Sequence, residues 1–355
     1  MRVSAILALA LAIGPLTASD ALAQRFPFER SFNVGDAPAL DVMTNRGKID
    51  VVSGARDRIV VRGIVTVRVG LALPANATEL ARQIADNPPV EHDGDIVRLR
   101  PPKQAAAWRS VTVSYEVEVP PAADVRTESD SGATTIRGVG GPVSVRTQSG
   151  SIDVHRLGGA ATVTTGSGAV TISGVVAALN VTTSSSAISA RDIQGNARVR
   201  SGSGAIDVVM SGSGAVDVET SSSAIHLRHL RGTLTALSKS GRVTVQGEPK
   251  ESWSISTASG SVDLSTPDGA LMFDLTSGSG SVDVSGATVQ GVVTKHSVSG
   301  ATGTGGPSVR VHSRSGSIRV RVRESAGPRQ TTQLRPAALA SYMRRSAVRR
   351  VASKS

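Results

Sequence analysis

The stretch TQSGSIDV, at residues 147–154, returns with small changes along most of the chain, for example as TGSGAVTI at residues 165–172 and SRSGSIRV at residues 313–320. Each copy has a glycine or serine at one fixed position. These corner slots are Gly150, Gly168, Ser186, Gly204, Ser223, Gly241, Gly260, Gly280 and Gly316. Their spacing is 18 to 20 residues up to Gly280, and the last interval of 36 equals two steps. A fixed period of this length is typical of a repeat architecture.

Two apolar columns accompany the corner slots. The residues two and four after each slot are apolar and the one between them is polar, as in Ile152, Asp153 and Val154. This alternation predicts a short strand with two side chains inward and one outward. A second column precedes the slots and comprises Val145, Val163, Val181, Val199, Val218, Ala236, Ile255, Leu275 and Val311. Each repeat therefore contains two short strands.

The constant step decides how these strands pair. Antiparallel hairpins give a similar alternation, but they do not explain why equivalent positions recur at one step. If each repeat is one coil, equivalent positions stack, and parallel strands of neighbouring coils lie about 4.8 Å apart. We therefore predict an all-β fold, a single-chain parallel β-solenoid with coils of about 18 residues. The low aromatic content, 2% of 355 residues, suits such thin β-structure.

The N-terminus is predicted to direct export. Residues 1–23 contain Arg2, an apolar run at residues 6–13 and the small-x-small sequence Ala21-Leu22-Ala23, which together are typical of a secretory signal peptide. The apolar run is too short for a transmembrane helix. We expect the protein in the periplasm, associated with the outer membrane, or outside the cell. The chain has no cysteine, which excludes disulfides, thiolate metal sites and cysteine nucleophiles.

Three further parts follow the signal peptide. Residues 24–124 are predicted to form a small β-rich capping region with a helix at residues 77–87, capped by Thr78 and stopped by two prolines. Residues 125–323 form the solenoid, with weaker repeats after Gly280 and a poor repeat at residues 298–300. Residues 324–355 form a basic tail.

The net charge of +11 is concentrated near the C-terminus. Glu324 is the only acidic residue after position 320, against the basic residues Arg321, Arg323, Arg329, Arg335, Arg344, Arg345, Arg349, Arg350 and Lys354. The tail is predicted to be disordered or a short helix, with a weak contact to anionic membrane or polysaccharide as the alternative. Nucleic-acid binding by the main body is not expected, because it lacks a basic stripe with aromatic platforms.

Two columns of polar residues are candidates for binding. Aspartates at Asp153, Asp207, Asp217, Asp263 and Asp283 suggest calcium, but calcium-binding β-rolls place aspartate two residues after glycine and repeat it in every unit. We interpret them as a solvated column. A column of hydroxyls comprises Thr147, Thr165, Thr183, Ser201, Thr220, Ser238, Thr257 and Thr276. Flat threonine arrays bind ice or polysaccharide, but hydrogen bonding of these hydroxyls to one another and to the corner backbone is the favoured interpretation.

The sequence predicts no catalytic, cofactor-binding or metal-binding residue. His226 and His229 are three apart on a strand and should face opposite sides, so they do not form a chelating pair. Serines are abundant, but no G-x-S-x-G elbow and no partner base stand out. A carbohydrate-active β-helix enzyme is the catalytic alternative, although such enzymes have larger coils and aromatic sugar platforms, and the repeats contain few aromatics beyond Trp253 and Phe273.

Residues 115–154, YEVEVPPAADVRTESDSGATTIRGVGGPVSVRTQSGSIDV, resemble the bacterial putative-adhesin family, a domain of unknown function built from β-strand repeats. The shared features are a strand ending in Val119-Pro120 and repeated Thr/Ser-x-Ser-Gly-x-Ile/Val-x-Val units. The resemblance covers roughly residues 39–322 and implies an envelope β-solenoid. It implies an adhesin-like binding or structural role, with an envelope protein or polysaccharide surface as partner. A sensor or scaffold in envelope stress signalling is the alternative.

Overall fold

The computed structural model describes residues 24–68, 76–101, 108 and 110–323. The predicted signal peptide and basic tail lie outside these residues. The described chain is almost entirely β-structure in two large sheets, one of 14 and one of 15 strands. The N-terminal elements are β1 (Arg25–Asn33), β2 (Ala39–Thr44), β3 (Ile49–Ser53), β4 (Arg58–Val67), α1 (Ala77–Asp86), β5 (Val90–Asp93), β6 (Ile96–Leu99) and β7 (Val111–Val119).

The middle of the molecule is a regular stack of two-strand coils. Its strands are β8 (Asp124–Ser129), β9 (Thr134–Arg137), β10 (Val143–Thr147), β11 (Ile152–Leu157), β12 (Ala161–Thr165), β13 (Val170–Val175), β14 (Leu179–Thr183), β15 (Ile188–Ile193), β16 (Ala197–Ser201), β17 (Ile206–Met210), β18 (Val216–Thr220), β19 (Ile225–Leu230), β20 (Leu234–Ser238), β21 (Val243–Gly247), β22 (Trp253–Thr257) and β23 (Val262–Pro267). Even-numbered strands join the 15-stranded sheet and odd-numbered strands the 14-stranded sheet. Every coil pairs in parallel with its neighbours, so the predicted fold class, a parallel β-solenoid, is confirmed.

Stacking of equivalent residues builds the core. Val145 lies beside Val163 in one sheet, and Ile152 lies beside Val170 in the other. All four side chains are buried. Because each coil repeats the same inward positions, the core is a continuous ladder of aliphatic side chains along the whole stack. This arrangement buries apolar area with few aromatic residues, as the composition indicated.

At the corner between the two strands of a coil, the slot residue donates its backbone N–H to a side-chain hydroxyl three residues earlier. The Gly168 N–H donates to Thr165 Oγ1 over 3.1 Å, and the same bond recurs in most coils. A Cβ on Gly168 would lie 1.7 Å from the Gly150 carbonyl oxygen in the preceding coil. The hydroxyl column therefore caps the corner backbone from inside, and the glycine permits the close approach of consecutive coils.

One residue was wrongly assigned to the predicted hydroxyl column. Thr276 is exposed, and its neighbour Ser277 is buried and accepts the Gly280 N–H over 2.9 Å. In every coil with this bond, the hydroxyl residue lies three positions before the slot. For the slot at Gly280, that residue is Ser277. Because a threonine and a serine are adjacent at positions 276 and 277, the sequence pattern did not show which of them belongs to the column.

The N-terminal end closes the stack with strands taken out of chain order. β2 pairs in parallel with both β8 and β6, and β3 pairs in parallel with both β9 and β7. The coil formed by β6 and β7 therefore lies outside the coil formed by β2 and β3. Antiparallel strands β4 and β1 extend one sheet, and β5 extends the other. Because the sheets run on across residue 125, the boundary placed there stays a prediction.

Helix α1 lies against β4 and β1 and buries Ala81 and Ile84. The helix was predicted within one residue of its observed bounds, but its cap was not. The N-cap residue is Asn76, not Thr78, and it makes no side-chain capping hydrogen bond. Packing of the apolar face against the sheet stabilises this short helix, as is usual in folded proteins.

The C-terminal end is also out of chain order. Its strands are β24 (Leu271–Ser277), β25 (Val282–Ser285), β26 (Gln290–Val293), β27 (Ser297–Thr302), β28 (Ser308–Ser313) and β29 (Ile318–Arg323). β28 lies between β22 and β24, and β29 lies between β23 and β25. The coil formed by β28 and β29, the last in the described sequence, therefore lies between the coil of β22 and β23 and the coil of β24 and β25.

This insertion corrects two expectations. Gly316 stacks between Gly260 and Gly280 and does not follow two steps beyond Gly280. Residues 298–300 are not a weak coil, because they belong to β27, which pairs antiparallel with β24 and β26. A periodic sequence marks which residues are equivalent but does not fix the spatial order of identical coils.

A candidate ligand-binding groove at interrupted bulges

A groove of about 710 Å³ crosses the far ends of strands β15 to β23 and β29. It is lined by Asp192, Met210, Ser211, Gly212, His229, Leu230, Arg231, Gln246, Gly247, Glu248, Ser265, Thr266, Pro267 and Arg323. The residues come from consecutive coils, so the groove runs along the stack. It interrupts an otherwise regular surface and is large enough for a small polar ligand.

A one-residue difference between coils creates the groove. Strand β15 has two residues between the buried side chains Ala190 and Ile193, while β17 has one between Val208 and Met210. The additional residue in β15 is Asp192, which adopts a left-handed backbone with φ of 56°. Such a bulge pushes the strand outward. Strands β17, β21 and β23 lack this bulge, so we infer that their ends form the floor of the groove.

The same bulge recurs along the sheet at irregular intervals. Arg156, Gly174 and His229 also have positive φ, at 56°, 68° and 59°. Strand β19 contains the His229 bulge, and the register shifts again between β19 and β21, where Leu230 lies opposite Gly247. The groove therefore crosses two strands with the bulge, β15 and β19, and the shorter strands beside them. Left-handed non-glycine residues cluster at functional sites.

The groove presents charged and polar groups that have no ion pair among the described residues. Asp192, His229 and Arg323 are exposed there, and none of them forms a described salt bridge. The other two charged residues of the lining, Arg231 and Glu248, form an ion pair with each other at 3.9 Å. The lining thus offers separate hydrogen-bond donors and acceptors to a ligand. It contains no Phe, Tyr or Trp side chain.

The groove residues were missed by the sequence prediction, although a signal for them exists. Counting from the first buried residue of each strand to the last gives five steps in IDVHRL of β11 and four in IDVVM of β17. A shortened strand next to a longer one predicts a lower coil. The spacing of the corner slots does not show this difference in strand length, because the turn after the shorter strand is longer and keeps the repeat length nearly constant.

Two aspartates of the predicted solvated column, Asp207 and Asp263, contact arginines of neighbouring coils. Asp153 contacts His155 of its own strand, and Asp283 forms no ion pair among the described residues. Asp207 contacts Arg228 at 2.9 Å and Arg191 at 3.4 Å. Asp217 does not belong to this column: it lies on β18 in the other sheet and contacts Arg198 at 3.0 Å. The contacts neutralise the carboxylates individually.

The two histidines of β19 do not follow simple alternation. His226 and His229 are both exposed, because the bulge at His229 turns its side chain outward. The expectation that they face opposite sides is wrong for this reason. They line separate depressions, since His226 lies with Asp207 and Thr244 while His229 lies in the groove.

Within residues 24–68, 76–101, 108 and 110–323, no three His, Asp or Glu side chains come together as a metal-binding group. The part of the chain that the structure describes also has no helix with the length and apolar character needed to cross a membrane.

Comparison with known proteins supports the resemblance seen in the repeats. A solved structure described as a putative cell adhesion protein from Clostridium sporogenes is 10% identical, with 84% of this chain and 100% of that chain covered at a TM-score of 0.19. A putative adhesin from Bacteroides fragilis is also 10% identical, with 83% and 96% covered at a TM-score of 0.23. These scores are too low to support an inference about this chain. Comparison with curated proteins gave no match. The family profile described as Toastrack DUF4097 matches residues 160–321, so this part of the solenoid is similar to the Toastrack domain and agrees with the adhesin-like domain of unknown function that the repeats indicated.

Proposed function

We propose that the protein is an exported, adhesin-like binding module that holds a polysaccharide segment in the groove and does not turn it over there. The observation that carries this proposal is the groove itself, where the regular surface is interrupted by bulges. A rigid stack of hydrogen-bonded coils fixes the positions of the lining side chains before binding. Such preorganisation lowers the entropic cost of ligand binding.

The chemistry of the lining suits a hydroxyl-rich ligand. Gln246 presents both donor and acceptor groups, Asp192 accepts hydrogen bonds, and Arg323 donates them. A sugar hydroxyl both donates and accepts, so mixed groups along one groove match a polysaccharide better than a purely anionic ligand. The absence of aromatic platforms in the lining predicts weak binding at each site.

The binding experiment compares two histidines of the same strand. The full mature chain is tested against a panel of envelope polysaccharides, and affinity for each hit is measured by calorimetry. His229→Ala and Gln246→Ala should each weaken binding about tenfold, the equivalent of one hydrogen bond. His226→Ala is the matched control, because His226 lies on β19 outside the groove. Equal affinity of the His229→Ala and His226→Ala variants, or no binding to any polysaccharide, would overturn the proposal.

Export is tested separately. Cleavage after Ala23 should leave Gln24 as the first residue of the mature protein, and the protein should fractionate outside the inner membrane. N-terminal sequencing and cell fractionation measure these two outcomes. An intact N-terminus on cytoplasmic protein would contradict export without affecting the groove.

A further inference from the structure

Three side chains on the outward face of strands β11 and β13 form a chain of close contacts. Ser173 Oγ lies 2.6 Å from His155 Nδ1. His155 Nε2 lies 2.7 Å from Asp153 Oδ1. Asp153 and His155 are two residues apart on one strand and therefore share a face. Parallel register places Ser173 directly beside His155 on the next coil.

The environment favours a base at Nδ1. Asp153 Oδ1 is shielded from solvent and forms no well-directed hydrogen bond, so its carboxylate acts on the neutral imidazole through its negative charge, 2.7 Å from Nε2. A carboxylate beside Nε2 favours the tautomer with the proton on that nitrogen. Nδ1 then has a free lone pair directed at the Ser173 hydroxyl. A nucleophile, a base and a group that orients the base are the parts needed to activate a serine.

The position of the serine in the fold adds a second observation. Ser173 directly precedes Gly174, which has positive φ at the β13 bulge, and His155 precedes Arg156, which has the same conformation in β11. Bulges re-aim side chains and occur next to active sites more often than elsewhere. The imidazole is partly exposed, with 32% of its side-chain surface accessible, so a reagent can reach the site.

Two arginines flank the three side chains. Arg137 lies beside His155 in register and bonds to Asp50 at 3.0 Å. Arg191 lies beside Ser173 on the other side, and its described ion pair is with Asp207 at 3.4 Å. A guanidinium has five N–H donors. Arg191 thus has donors left to stabilise negative charge that develops next to Ser173.

We propose that Ser173 is a nucleophile that accepts an acyl group from an activated ester. Ser173 Oγ attacks the ester carbonyl carbon, and its proton passes to His155 Nδ1. The tetrahedral oxyanion beside Arg191 collapses, the bond to the leaving oxygen breaks, and His155 returns the proton to that oxygen. The products are acylated Ser173 and an alcohol. No oxidant or other co-reactant is needed, and the proposed polysaccharide binding does not depend on this step.

The test uses p-nitrophenyl acetate with the purified full chain. We expect release of p-nitrophenol as Ser173 becomes acylated. Ser173→Ala and His155→Ala should each lower the rate about 100-fold. Asp153→Asn should lower it less and change its pH profile, as expected for a positioning residue. Thermal melting of each variant checks that the stack remains folded.

A neighbouring serine provides the control. Ser189 is half-buried on β15, the next strand of the same sheet, and has no described contact with a histidine. Ser189→Ala should release p-nitrophenol at the rate of the unmodified chain. An unchanged rate in Ser173→Ala would overturn the proposal. A rate lost in His155→Ala but kept in Ser173→Ala would overturn it too, since the imidazole would then be the nucleophile.

Discussion

The inward and outward columns of the solenoid differ in how well their residues are repeated from coil to coil. Inward positions repeat from coil to coil, as in Val145, Val163 and Val181, and each such side chain is buried. Outward positions in the same coils change freely, from Asp153 to Thr171 to Ser189. Stacking requires the inner columns to match, whereas solvent places no such demand on the outer ones. Repetition therefore reports folding, and departures from repetition are where function should be sought.

The first prediction breaks the inner column at its largest side chain. Trp253 is buried between Leu234 and Val309 in register, and its Nε1 donates to the Gly232 carbonyl over 2.9 Å. Trp253→Ala should destabilise the fold by about 4 kcal/mol through the cavity it leaves. Met272→Ala is the outward control, because Met272 is 53% exposed, and its effect should stay within about 0.5 kcal/mol. Urea denaturation measures both, and similar losses would contradict the comparison.

The second prediction concerns two occupants of equivalent corner slots. Gly168→Ala places a Cβ against the Gly150 carbonyl oxygen, and the forced shift should cost about 3 kcal/mol. Ser186 already has a Cβ in the next slot, and its hydroxyl makes no described hydrogen bond. Ser186→Ala should therefore change the free energy of unfolding by less than about 0.5 kcal/mol. If Gly168→Ala is equally mild, close coil approach is not what selects glycine.

The third prediction separates satisfied from unsatisfied hydroxyls within one column. Thr165→Val leaves the Gly168 N–H without its acceptor and should cost about 1–2 kcal/mol. Thr220 occupies the same column, but its buried Oγ1 has no hydrogen-bond partner. Thr220→Val should be neutral or slightly stabilising. Denaturant midpoints of the two variants give the difference, and an equal loss would refute the capping role of the hydroxyls.

The fourth prediction uses pH. Burial raises the pKa of Tyr115 well above its ordinary value of 10.0. The neutral phenol is thus favoured in the folded state. Its contribution to the free energy of unfolding is fully present below pH 10. Above pH 10 the unfolded chain releases the phenol proton first, so the free energy of unfolding falls with a slope that approaches about 1.4 kcal/mol per pH unit. Tyr115→Phe should remove this part of the alkaline destabilisation, measured by denaturation between pH 9 and pH 11. An unchanged slope would contradict it.

The smallest effect is expected at the outward charges. Asp207 contacts both Arg191 and Arg228, yet Asp207→Asn should cost less than about 1 kcal/mol because exposed ion pairs are screened by solvent. Thermal melting at low and high salt should show a small difference that salt reduces. A loss as large as that of Trp253→Ala would mean that the outer columns also hold the stack together.

Much of the fold is predictable because stacking imposes it on the sequence. The corner slots and the Val145 column mark coil length and the inward face without any structure. The position of Gly316 between Gly260 and Gly280 is not marked, since identical coils can stack in more than one order.

The surface sites were harder to predict because they arise between coils. The groove depends on one missing residue in β17 relative to β15. The contact of Ser173 with His155 joins residues 18 apart in sequence, and only the parallel register brings them together. Sequence periodicity identifies the column to which each residue belongs but not the chemistry of its neighbours in adjacent coils.

The most direct test of the central claim is to restore the missing bulge. Inserting one glycine between Val209 and Met210 makes β17 as long as β15, and glycine accepts the positive φ that Gly174 already adopts. Polysaccharide affinity is then measured by calorimetry alongside the denaturant midpoint. The account predicts a folded protein that no longer binds, because the groove floor has risen. A folded protein with undiminished affinity would contradict it.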